Sequence, residues 1–192
     1  MTTTRYWFVR HGESLANAEG WLAGHRDVPL TALGVDQAKA AKAALVDVRP
    51  DRVVSSDLRR AVDTARLAWD HRLPPSRTAV EVRERDLGAW EGRTIGELAI
   101  DGGMATLLSW DHGPPGGESH LLLGRRALGF LAARDDGAST LLFGHGGWIR
   151  TVVGLVDCVP LAEIGRFKVA NTEVLIRDVE RGTWARWLER LS

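Results

Sequence analysis

Two histidines sit in the same local setting. His11 lies in RHG, residues 10–12, just after the aromatic run YWFV, and His145 lies in HGG, residues 145–147, just after the apolar run STLLF. A third apolar run, RVVSS, leads into DLRR, which supplies Arg59. Arginine forks bind phosphate oxygens in pairs, glycines let backbone N–H groups come close, and an imidazole can donate a hydrogen bond or attack. Arg10, His11, Arg59 and His145 therefore point to phosphoryl chemistry, provided the three apolar runs are neighbouring strands. Each piece has a plainer reading: RHG recurs by chance, Arg59 and Arg60 fit the solvated face of an amphipathic helix, and HGG can be a simple turn. Their joint occurrence at strand ends is the informative observation.

Other chemistries find less support. The six histidines show neither HxxxH nor HxH spacing, and Cys158 has no cysteine partner, so no metal or cofactor is expected. Twenty-five basic residues balance twenty-five acidic ones, which leaves no net field to hold nucleic acid or an anionic membrane. The eight tryptophans lack the basic run that a stacking surface for single strands would need. No stretch matches a membrane span, and MTTTRYW lacks the regions of a signal peptide, so a cytoplasmic protein is expected. Cys158, within VVGLVDCVP, is expected to be a buried thiol. Oligomeric state leaves no trace in the sequence.

The groups so selected must be held by elements that the pattern also marks. A chain of 192 residues with 44% hydrophobic residues fits one domain, residues 1–192. YWFV, RVVSS and STLLF read as strands. TALGVDQAKAAKAALVDV, with Thr31 as its candidate cap, DLRRAVDTARLAW and WIRTVVGLVDCV read as helices. HRLPPSR and residues 101–117 read as loops. TEVLIRDVE and TWARWLERL read as closing strands joined at Arg181 and Gly182. Alternating strands and helices predict an α/β fold, a three-layer α/β/α sandwich with a mainly parallel central sheet, whose ligand crevice lies beyond the carboxyl ends of the strands.

With RHGES and Asn17, GHRDVPLTALGVDQA (24–38), SSDLRRAVDTA (55–65), ERDLGAWEG (84–92), PGGES (115–119) and FGHGGWIR (143–150) in that order, the sequence resembles the histidine phosphatase, or phosphoglycerate-mutase-like, superfamily over nearly its whole length. NTE, residues 171–173, resembles that family's closing strand. The resemblance implies that His11 is the nucleophile and carries a phosphohistidine, while Arg10, Arg59 and His145 surround the transferring group. It implies that Glu84 is the general acid, a choice the residues alone leave open among Glu81, Glu84, Asp86 and Glu91. A phosphate dianion beside Glu84 would raise its pKa and keep it protonated. Gly12 and Gly146 would admit the phosphate to the backbone, and Ser14, Asn17 and Gly24 would contact phosphate or substrate. Glu13 then becomes a structural partner, and PGGES a turn into a helix. Gly144 stands where the family often has serine or threonine, which removes a hydroxyl beside His145.

The implied activity is metal-independent hydrolysis of a small-molecule phosphomonoester, with inorganic phosphate as product. Two alternatives are a phosphoglycerate-mutase-type phosphotransferase and a phosphate-binding module without turnover. Residues 93–113 hold a single arginine and form a shorter insertion than mutases of the family generally carry, which favours hydrolysis. Residues 93–117 are expected to form a short cap or loop region over the site, with Met104, Leu107, Leu108 and Trp110 either walling the pocket or only packing on the domain.

Overall fold

The computed structural model describes residues 2–70, 72 and 76–192. The chain runs β1 (Thr3–Arg10), α1 (Leu15–Glu19), α2 (Ala32–Ala44), β2 (Arg52–Ser56), α3 (Arg59–Trp69), β3 (Ser76–Ala79), α4 (Ile95–Ile100), α5 (Gly103–Leu108), α6 (His120–Ala132), β4 (Thr140–Gly144), α7 (Gly146–Val156), α8 (Leu161–Ile164), β5 (Val174–Glu180) and α9 (Thr183–Leu191). The strands form one sheet in the order β3-β2-β4-β1-β5. β3, β2, β4 and β1 are parallel, and β5 joins the edge antiparallel to β1.

β1 shows why the sheet is covered on both faces. Successive side chains of a strand point to opposite sides. Tyr6 and Phe8 accordingly enter one core with Leu123, Leu128, Trp148, Val152 and Trp184 from α6, α7 and α9. Trp7 and Val9 enter the other with Ala41, Leu45, Ala65 and Trp69 from the α2–α3 side. The continuous apolar run is the signature of a parallel strand buried on both faces. Among the described residues no helix is long and apolar enough to cross a membrane.

Four sequence expectations change. TWARWLERL is helix α9, not a strand: Trp184, Trp187, Leu188 and Leu191 recur at helical spacing, and the first and last of these are buried. Residues 101–117 are not all loop, because they contain α5. NTE is a turn ahead of β5, with Thr172 in the left-handed region at φ 57°. Cys158 is exposed, since α7 ends at Val156 and the chain turns outward through a left-handed residue, φ 55°. Of the expected HRLPPSR loop, residues 71 and 73–75 lie outside the described residues, and Ser76 and Arg77 open β3.

Candidate active site

β1 and β4 are adjacent, so their carboxyl ends bring the two histidines together. The His11 N–H donates to the Gly144 carbonyl at 2.9 Å, and the two imidazole centroids are 5.2 Å apart. The turn before β5 ties down the same corner, where Asn171 donates to the His11 carbonyl at 2.9 Å. His11 is buried, and its Nδ1 lies 2.7 Å from the Gly12 carbonyl. A carbonyl can only accept, so the proton sits on Nδ1 and the Nε2 lone pair is left for attack. Burial first, then the Arg60 and Arg10 charges, push the His11 pKa well below its ordinary value, against the opposing pull of the Gly12 carbonyl. The imidazole is thus neutral, as a nucleophile must be.

The arginine at the second strand end is Arg60, not Arg59. Arg59 is exposed, and its guanidinium turns to Asp63 at 3.4 Å. Arg60 is buried and lines the cavity beside His11, held by the carbonyls of Arg26 at 2.9 Å and Gly24 at 2.8 Å. Helix phase separates the neighbours. Arg60 shares the face of Thr64 and Ala68, both buried, whereas Arg59 shares that of Asp63 and Arg66. This phase was readable in the sequence, through the charged stripe Arg59–Asp63–Arg66. Arg10 lines the cavity as expected, donating to the Val169 carbonyl at 2.6 Å with its Nε buried and unpaired.

Glu84 reaches the first turn of α7. Its carboxylate accepts from the N–H groups of Gly147 (3.0 Å), Trp148 (3.1 Å) and Arg85 (2.9 Å). Burial is the largest single influence and pushes its pKa up. The Gly147 and Arg85 N–H groups, with Arg150 and Arg60, outweigh it and bring the net shift down. The protein's own groups therefore favour the carboxylate, and a rise in pKa has to come from a phosphate dianion. His145 is wholly buried, and neither ring nitrogen has a hydrogen-bond partner. The missing hydroxyl at Gly144 fits that isolation. Burial, Arg60 and His11 hold its pKa well below the ordinary value.

The remaining sequence candidates divide. Ser14, Asn17 and Gly24 line the cavity, a cleft of about 230 Å3. Ser14 and Asn17 also form the capping box of α1, a structural role beside their place on the cavity wall. Gly12 and Gly146 do not line it. Gly12 is needed because any side chain there would strike the Gly34 carbonyl, and Gly146 packs against Arg10 and Arg150. The glycine beside the chemistry is Gly147, where a side chain would displace the Glu84 carboxylate. Glu13 accepts from the Thr31 hydroxyl at 2.7 Å, a structural role.

Arg85, His120 and Arg150 line the cavity but were not singled out from sequence. Arg85 adjoins Glu84, His120 follows the cap residue Ser119 of α6, and Arg150 lies one helical turn beyond Gly146. These positions mark them only after the helices are phased. Trp21, Leu22, Leu87, Ile95, Leu107 and Leu108 form the apolar wall of the cleft.

Known proteins share this arrangement of chain. An adenosylcobalamin/alpha-ribazole phosphatase of Salmonella typhimurium is 32% identical over 188 residues, 94% of this chain and 88% of that protein. A glucosyl-3-phosphoglycerate phosphatase of Mycolicibacterium vanbaalenii is 33% identical over 176 residues, 84% of this chain and 77% of that protein. The solved structure of a mycobacterial glucosyl-3-phosphoglycerate phosphatase in complex with VO3 superposes with a TM-score of 0.82 at 28% identity, covering 90% of each chain. The family model described as the histidine phosphatase superfamily (branch 1) matches residues 6–189, and the chain belongs to that superfamily.

Proposed function

We propose that this chain hydrolyses a small-molecule phosphomonoester, without a metal, through a phosphohistidine on His11. His11 Nε2 attacks phosphorus in line, the P–O bond to the leaving alcohol breaks, and Glu84 gives its proton to the departing oxygen. Water then attacks phosphorus, the P–N bond breaks, Glu84 takes a proton from that water, and inorganic phosphate leaves. Arg10 and Arg60 neutralise the charge on the phosphoryl oxygens, and the neutral His145 donates one hydrogen bond to them. The carrying observation is a neutral, tautomer-fixed His11 beside buried polar groups that lack protein partners, Arg10 Nε and both nitrogens of His145. Buried polar groups of this kind normally have a partner, and phosphate oxygens can accept from Arg10 Nε–H and from the one N–H of a neutral His145.

The apolar wall supports a substrate with an uncharged, sugar-like or bulkier body. Ile95, Leu107 and Leu108 lie on it, which supports residues 93–117 as a cap over the site of a single domain. The names of the relatives, with alpha-ribazole and glucosyl-3-phosphoglycerate, support a metabolite ester. Hydrolysis is favoured over transfer because Arg93, the one arginine of residues 93–113, is paired with Asp101. The deciding experiment traps phosphate on the protein from a labelled monoester. An acid-labile, base-stable adduct that disappears in His11→Ala is expected, and an adduct persisting in that variant sinks the assignment. Incubation with phosphoglycerate separates the alternatives: free phosphate is expected, and isomer without phosphate release would make the chain a mutase.

A further inference from the structure

We infer that His120 is a positioning residue that latches the α4–α5 cap onto the domain and so sets how the cavity receives the body of the substrate. The inference rests on the phosphatase reading of the site and concerns a residue outside the phosphate cradle.

The cap cannot hold itself. α4 and α5 have six residues each, well below the roughly 12–15 at which an isolated helix becomes even marginal. Their inward anchor is thin: Leu98 is the one fully buried side chain of the two, and Ile100 is 89% exposed. The start of the cap is tied by the Leu22 N–H to the Arg93 carbonyl at 2.8 Å, and its last stretch, from Leu107 to Trp110, makes contacts that converge on the start of α6. The Leu121 N–H donates to the Trp110 carbonyl at 2.8 Å. The Trp110 ring lies parallel to the His120 imidazole, 7° between planes and 6.4 Å between centroids. The Leu107 carbonyl accepts from the Arg85 guanidinium at 2.8 Å.

His120 is itself well anchored. It is buried, 2% exposed, and its Nδ1 lies 3.1 Å from the Thr151 hydroxyl on α7. Burial, with the nearby charges of Arg85 and Arg150, lowers its pKa to about 3, so the ring is an uncharged strut at any ordinary working pH. One side chain thus joins α6, α7 and the cap at the edge of the cavity that Leu107 and Leu108 line. The arrangement places a ring fixed to α7 behind the last turn of the cap and its apolar wall.

The test compares 1-naphthyl phosphate, whose body must meet that wall, with acetyl phosphate, which has almost no body. In His120→Phe, which keeps a ring for Trp110 but loses the hydrogen bond to Thr151 that fixes it, kcat/KM for naphthyl phosphate should fall about tenfold further than for acetyl phosphate. The excess should reside in KM. His120→Gln, which retains a donor at similar reach, should recover most of that difference. Amide exchange in residues 103–110 should quicken in His120→Phe while that of β1 and β4 does not. Equal losses on both substrates, or unchanged exchange in the cap, would overturn the latch. If His120→Phe does not fold, the same two measurements on His120→Gln decide, with a discrimination and an exchange rate like wild type expected. Failure of the wild type to turn over either ester would instead count against the phosphatase reading.

Discussion

At the scale of single residues, Arg59 and Arg60 are the sharpest case. Composition and spacing point to an arginine just after RVVSS, and two adjacent arginines differ by about 100° around a helix, so the charged stripe Arg59–Asp63–Arg66 marks the exposed one and burial confirms it. Arg60→Ala should lower kcat/KM by about a hundredfold or more, since it removes a charge beside His11 and leaves the Gly24 and Arg26 carbonyls unpaired. Arg59→Ala, which loses only an exposed contact with Asp63, should stay within about twofold. Steady-state kinetics on both variants checks the pair, and equal losses would contradict the placement. His11 itself was legible from RHG at a strand end, with its role implied by the family resemblance. Its partner, the Gly12 carbonyl, was not, since which carbonyl approaches depends on the turn. The lowered pKa of His11 also fixes a pH profile. The group stays neutral as pH falls through 6.5, so kcat/KM should show no acid limb there, down to the pH at which the fold itself gives way. An acid limb near 6.5 would mean that the imidazole titrates normally.

Among the elements, those marked by long periodic patterns or by β-branched runs were readable, and those whose identity turns on phase or on partners were not. Thr31 caps α2 and Ser119 caps α6 as their positions suggest, each accepting from the N–H three residues on. α9 was misread on Thr183, Trp184 and Trp187, which suit strands, although the other six residues are good helix formers and the stripe of Trp184, Trp187, Leu188 and Leu191 is helical. The contact of α2 with the nucleophile loop was hidden for a different reason. Gly12 and Gly34 face each other backbone to backbone, and a side chain on either one would meet the other segment's main chain. No local pattern announces such a pair. Gly34→Ala should therefore push the loop carrying His11 and Ser14 out of place, lowering kcat/KM by at least tenfold and stability by about 1–3 kcal/mol. Kinetics and urea denaturation test this, and a variant matching wild type in both would show that the close approach is not needed.

For the molecule as a whole, placing three buried histidines inside a two-faced α/β core has a thermodynamic consequence. His11, His120 and His145 are all buried with lowered pKa values, His120 to about 3. In the unfolded chain each titrates near 6.5, so below that pH the unfolded state binds protons that the folded state refuses. Stability is then complete above 6.5 and is lost as pH falls toward the folded-state pKa, by up to about 1.4 kcal/mol per pH unit for each histidine. Glu84, lowered by its N–H partners, adds to the loss in the same direction nearer its own range. Between pH 6.5 and 5 His120 alone amounts to about 1.6 kcal/mol, and His11 and His145 act in the same direction, against the roughly 5–15 kcal/mol that holds a domain together. Urea unfolding should accordingly show a free energy that drops from pH 7 to 5, and His120→Phe should reduce that slope by up to about 1.4 kcal/mol per pH unit whatever it does to stability at neutral pH. A flat profile in the wild type would mean that the buried rings take up protons without unfolding. An unchanged slope in His120→Phe would mean that His120 is not among the groups kept neutral by the fold.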